Sequence, residues 1–156
     1  MKKLFTFFCA LLVTSSVSQA AEQWREKALI AADHLALTIE ALDETLHEVY
    51  DQHKTPAFKK AVTDIHHIEA LVEGLMEDLP AASFPELCED FSHLYEDLVE
   101  IRLDLIALGL QGNPQVVRTW NNMANTYNRE LNPFFRNCSH HWSADSVDAG
   151  LVLELL

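Results

Sequence analysis

The chain has 156 residues, with 24 acidic side chains against 11 lysines and arginines and a formal net charge of −13. That balance repels nucleic acid and anionic lipid, and so excludes both as partners on electrostatic grounds. The length suits one domain with a substantial core.

Residues 1–20 have the form of a secretory leader. Lys2 and Lys3 supply a positive start, Leu4 to Val13 is an apolar run too short for a stable membrane anchor, and Ser18-Gln19-Ala20 offers the small-x-small pattern of a cleavage site. Cys9 leaves with the leader. No other apolar stretch is long enough to span a bilayer, so no membrane anchor is expected after cleavage. Loss of the two lysines takes the net charge from −13 to −15. The short Lys-Lys leader points to a bacterial periplasm, where the two remaining cysteines, Cys88 and Cys138, tend to be oxidised. The expected organisation is a cleaved signal peptide at 1–20, a bundle domain at 21–139 and a tail at 140–156.

The first predicted helix of the mature chain runs from about Glu22 to Gln52. Ala28, Ala32, Leu35, Ile39, Leu42, Leu46 and Val49 recur in steps of three and four, which makes one apolar seam. Residues 51–56 break the pattern, and Thr55-Pro56 reads as cap and first turn of the next helix. That helix extends to about Asp78 with a seam of Phe58, Ala61, Ile65, Ile68, Val72, Leu75 and Leu79, and Pro80 stops it. Ser83 with Glu86 forms a capping box for the third helix. Its seam is Phe84, Leu87, Phe91, Leu94, Leu98, Ile101, Leu105 and Leu108, widened by Val99, Leu103 and Ile106. Gly109 and Gly112 mark its end, and Pro114 starts the fourth helix. There Val117, Trp120, Ala124, Tyr127, Leu131 and Phe134 are expected to face the core. Pro133 removes a hydrogen bond and is expected to kink the helix or to end it near Asn132. Ser143 is a possible cap for a short terminal helix. Four amphipathic helices with short links predict an all-α, antiparallel up-down-up-down four-helix bundle.

Cys88 lies about 24 residues before the Gly112-Asn113-Pro114 turn and Cys138 about 25 after it, so at ~1.5 Å per residue both arrive at the same end of a helical hairpin. A Cys88–Cys138 disulfide is therefore expected; two unpaired thiols are the alternative. Eight histidines are present, and His34, His47, His66, His67 and His93 fall one or two positions off their apolar seams. A di-iron carboxylate site needs Glu-x-x-His pairs projecting inward. Glu44-x-x-His47 and Asp90-x-x-His93 both point outward by this register. A looser metal patch joins His67 to His93, with Asp64 and Glu69 close by; imidazole with carboxylate suits zinc, copper or nickel. His140-His141 beside Cys138 forms a second cluster. Serines are few and no Gly-x-Ser-x-Gly elbow is present, so the chain does not read as an enzyme.

The run Phe91-Ser92-His93-Leu94-Tyr95, the glycine-containing turn, the segment from Tyr127 to Arg136, and Ile39-Glu40-Ala41-Leu42 with Leu46 resemble the soluble periplasmic cytochrome b-562 family. The resemblance covers most of Leu35 to Arg136. It implies a four-helix bundle that carries electrons on haem b, held between a first-helix methionine and a fourth-helix histidine. Those positions fall on Ile39 and about Asn132 in this sequence. The covalent relative, cytochrome c prime, bears Cys-x-x-Cys-His; Asn137-Cys138-Ser139-His140-His141 lacks the second cysteine, which excludes attachment by that motif. Haem would then need other ligands, with Met76, Met123 and His140 as candidates, and a scaffold without cofactor is the alternative. Two further readings stand beside it: a cofactor-free bundle, monomeric or weakly dimeric, that binds a periplasmic protein partner through its fourth-helix face, and a metal-binding stress protein using exposed histidines.

Overall fold

A computed structural model describes residues 2–138, with side chains from Glu22 onward. The side chains of the leader-like stretch, and residues 139–156 with His140, His141 and the Ser143 tail, lie outside the described residues. Four long helices form the protein: α1 (Lys2–Gln52), α2 (Pro56–Asp78), α3 (Phe84–Ala107) and α4 (Pro114–Thr126). A π turn (Tyr127–Leu131) carries α4 into a last short helix, α5 (Asn132–Phe135). The helical backbone of α1 begins well before Glu22, so it takes in the leader-like stretch as well.

Local chemistry sets where each helix starts. Thr55 Oγ1 accepts from the Phe58 N–H at 3.3 Å, with Pro56 in the first turn of α2. At α3 the Ser83 N–H donates to Glu86 Oε2 at 2.7 Å, as the capping box requires. Asn113 Oδ1 accepts from the N–H groups of Gln115 (3.0 Å) and Val116 (3.3 Å), capping α4. Gly109 leaves α3 with φ +73°, a left-handed conformation that residues with a Cβ rarely adopt.

Short connections fold the helices back on one another, and α1 packs against both α2 and α4 while α2 packs against α3. This is the expected up-down-up-down bundle. The α1 and α2 seams lie in the core as predicted, from Ala28 to Val49 and from Phe58 to Leu79. On α3 the core runs from Leu87 to Leu105; Phe84 is at the rim and Leu108 is half-buried. Full burial of each such leucine, isoleucine or phenylalanine contributes about 1.5–3 kcal/mol before the entropy of ordering is subtracted.

The fourth helix departs from expectation in two places. Val116, four residues before Trp120, is buried in place of Val117. Pro133 does not end the helix at Asn132. Instead the Asn132 N–H reaches back five residues to the Tyr127 carbonyl, and the widened turn lets helix continue to Phe135. The extra residue per turn advances the apolar stripe, so Phe135 rather than Phe134 enters the core.

At this end of the bundle rings fill the space between α3 and the α4–α5 segment. Phe91 stacks on Tyr127 at 5.4 Å between centroids and on Phe135 at 4.4 Å. Trp24 packs edge-on against Phe84, Phe134 and Phe135. The Arg25 guanidinium donates to the carbonyls of Leu79 and Ala82, tying α1 to the α2–α3 connection. The Cys88–Cys138 disulfide is formed here, with Cα atoms 5.3 Å apart. Among the described residues, no helix is long and apolar enough to cross a membrane.

Candidate metal centre

The histidines that sit off the seams acquire meaning where two seams abut. On α1, Asp43 and His47 each follow a core residue, Leu42 and Leu46, and stand one helical turn apart on the same flank. On α2, His66 follows the core residue Ile65 in the same way. Because α1 and α2 are antiparallel neighbours, the two flanks face each other across a groove.

The three donors converge there. His47 Nε2 lies 3.4 Å from His66 Nε2, Asp43 Oδ1 lies 3.2 Å from His66 Nε2, and Asp43 Oδ1 lies 3.6 Å from His47 Nε2. Two ligands at ~2.0–2.1 Å from a tetrahedral ion stand ~3.3 Å apart. The right angles of an octahedral ion would bring them to ~2.9 Å. The observed edges are close to the tetrahedral spacing. The imidazoles are half exposed, whereas the Asp43 side chain retains only 16% of its accessibility. Asp43 Oδ1 is buried and accepts no hydrogen bond, although both imidazole nitrogens are near it. An unsatisfied buried carboxylate oxygen is costly, and a cation in the triangle would satisfy it.

Glu69 stands one turn beyond His66 on α2. Burial pushes its carboxyl pKa up, and the charge of Asp43 adds to this, while His66 opposes it and Glu40 and Glu73 contribute less. A second carboxylate group, Asp64 with Glu100 and Asp104, is arranged differently. The Lys60 ammonium occupies its centre, at 2.7 Å from Asp64, 3.1 Å from Glu100 and 2.7 Å from Asp104. Hydrogen bonds to Asp104, Asp64 and Glu100, in that order, push the lysine pKa up. That group already contains its cation.

The residues singled out from sequence are distributed otherwise. His67 faces α3, where its Nε2 is 3.4 Å from Asp97 Oδ2, beside a cleft of about 110 Å³ lined by Asp64, His67, Asp97 and Glu100. His93 is exposed, and its charge acts on Asp90. Glu69 is on the α1 side of α2, away from that patch. Asp43-x-x-x-His47 is one helical turn on a single helix, and its meeting with His66 depends on the pairing of α1 with α2.

The b-562 resemblance places its haem ligands at Ile39 and about Asn132. Ile39 is fully buried and has no donor atom, and Asn132 is half-buried. Met123 is enclosed in the packed core, Met76 lies at its edge, and His140 is outside the described residues. The Phe91, Tyr127 and Phe135 rings fill the interior near α4.

Fold and site together define a class: an all-α four-helix bundle with a histidine–aspartate group on the α1–α2 groove that could hold a metal ion. No family model, curated protein or solved structure matches the chain.

Proposed function

We propose that this protein is an exported, periplasmic four-helix bundle that binds a divalent transition metal ion through Asp43, His47 and His66, and that it acts as a binding protein rather than an enzyme. The observation that carries the reading is the donor triangle, with edges of 3.2–3.6 Å and a buried, unsatisfied aspartate oxygen at one corner. Two imidazoles and one carboxylate favour zinc, copper or nickel over calcium and magnesium, which prefer all-oxygen shells. The acidic chain raises the local concentration of cations around the site. Export is supported by the leader-like residues 1–20 and by the disulfide, which suits an oxidising compartment. The site lies on an outer groove with half-exposed imidazoles, a setting better suited to holding an ion than to enclosing a substrate.

The test is equilibrium dialysis or calorimetry of untagged, leaderless protein with Zn(II). One ion per chain is expected, with binding strongly weakened in the His47→Ala, His66→Ala double variant. Binding unchanged in that variant would refute the site. A Soret band in protein purified with added haem would instead restore the electron-carrier reading, with Met76, Met123 or His140 as ligands.

A further inference from the structure

The neighbouring helices α1 and α4 carry opposite charge on their outer faces. On α1, Glu26, Ile30, Asp33, Leu37, Glu40 and Glu44 recur in steps of four and three, and all six are exposed. In this stripe acids frame two aliphatic side chains that stay more than half exposed, Ile30 at 63% and Leu37 at 58%. On α4 and its π turn, Arg118, Asn122, Asn125 and Arg129 recur in steps of four, three and four, exposed and without an acid among them. Among the described residues, Asp33, Glu44, Arg118 and Arg129 take part in no ion pair.

The two stripes also agree in spacing and in level. Asp33 and Glu44 are eleven residues apart, as are Arg118 and Arg129, which is ~16.5 Å along each helix. Contacts across the α1–α4 seam set the register: His34 Nδ1 is 2.7 Å from Glu130 Oε2, and Glu48 Oε2 accepts from the Gln115 amide at 3.0 Å. The helices are antiparallel, so each step forward on α1 is a step back on α4. Asp33 therefore stands within about half a helical turn of the level of Arg129, and Glu44 within about half a turn of Arg118. Inside one chain His34, Glu130, Glu48 and Gln115 occupy the seam between the stripes. A twofold rotation about an axis parallel to the helices keeps every level and exchanges left for right. It lays α1 of one copy over α4 of another and repeats the contact on the other side.

We propose that this α1–α4 face docks a second copy of the same chain, with Asp33 opposite Arg129 and Glu44 opposite Arg118 of that copy, twice over. Ile30 and Leu37 are withdrawn from water alongside these pairs. Each chain is strongly acidic, so two copies repel at a distance, and only a face that carries its own arginines can join them. The patch is ~20 Å wide across two helices and ~27 Å long, which buries ~1,100 Å² over both copies. That is near the lower bound of a specific interface, so the dimer is weak and depends on concentration. Asp43, His47 and His66 lie on the α1–α2 groove, so this docking does not rest on the metal site.

The test is sedimentation equilibrium of untagged, leaderless protein in EDTA, which removes any bridging by metal. The wild type is expected to show a reversible monomer–dimer equilibrium. Two charge-reversed chains are compared with it, one carrying Asp33→Arg with Glu44→Arg and the other Arg118→Glu with Arg129→Glu. Alone, each brings like charges together on both sides and should dimerise at least ~10-fold more weakly than wild type. Mixed in equal amounts, the two chains restore opposite charges on both sides, and the mixture should recover dimerisation to within ~3-fold of wild type. Circular dichroism melts of both variants check that the bundle is intact. A wild type that stays monomeric overturns the proposal and leaves the face to another occupant. Reversed chains that dimerise as wild type does place the dimer on a different face and overturn it too, as does a mixture that fails to recover.

Discussion

Breaking the Cys88–Cys138 bond should cost this bundle about 4 kcal/mol. The cysteines are separated by 50 residues. In the chain-entropy model a loop of this size lowers the entropy of the unfolded ensemble by ~14 cal/mol/K, which is ~4 kcal/mol at 25 °C. The enthalpic side is small by comparison. The Cα separation of 5.3 Å falls within the ordinary disulfide range. Once reduced, Cys138 remains a buried residue packed against core, and a thiol is tolerated there as a small apolar group. The loss should therefore arise chiefly in the unfolded state. The assay is guanidinium unfolding of the leaderless protein with and without a phosphine reductant, with Cys88→Ala, Cys138→Ala as a second route to the open chain. Reduction should move the midpoint down by roughly 1 M and steepen the transition, because an uncrosslinked unfolded chain exposes more surface. A loss below about 1 kcal/mol with an unchanged slope would refute the loop-closure reasoning.

Four other outcomes test separate parts of the structure. Trp120→Ala removes the largest fully buried side chain and should cost about 3–5 kcal/mol in chemical denaturation; a loss under about 1 kcal/mol would mean Trp120 is not packed as described. Gly109→Ala should cost about 1–2 kcal/mol, because a Cβ is strained at φ +73°. Gly112→Ala, at a glycine without positive φ, should cost clearly less in the same melts. Lys60→Met leaves Asp64, Glu100 and Asp104 facing one another, and should destabilise by about 1 kcal/mol at low ionic strength. Salt at ~1 M should erase most of that difference, since these groups are exposed enough to be screened. Asp90 has its pKa pushed above the ordinary 3.8, by burial first and by Asp78 and Glu89 after it. A raised carboxyl favours the fold in its protonated form, so its contribution is complete below the unfolded pKa and is lost as pH rises through the folded one. Asp90→Asn should therefore raise the melting temperature at neutral pH and give little gain near pH ~3; a drop at neutral pH would contradict this.

The α1 and α2 seams were readable because each is a single uninterrupted period, and burial followed the step of three and four residue by residue. The end of α4 was not readable at the same level. A proline in a helical pattern shows that one hydrogen bond must be lost, but several backbone solutions remove it. The π turn is the solution adopted, and it moves the core position from Phe134 to Phe135. The outward histidines were placed correctly on their own helices, yet periodicity describes one helix at a time. It assigns His47 and His66 to wet faces and says nothing about which wet faces meet.

Sequence alone determined the helical class, the helix starts at Thr55, Ser83 and Asn113, and the chain-end match of Cys88 with Cys138. Caps, seams and helix length are local quantities written in neighbouring residues, and the hairpin places its two ends together by length alone. Tertiary structure decided which flanks abut and at what level. The antiparallel pairing of α1 with α2 set Asp43, His47 and His66 within 3.6 Å of one another, and the pairing of α2 with α3 turned His67 toward Asp97. That choice depends on how two helices rotate about their own axes when their cores pack. Rotation is fixed by contacts between residues far apart in the chain, and no local pattern contains it.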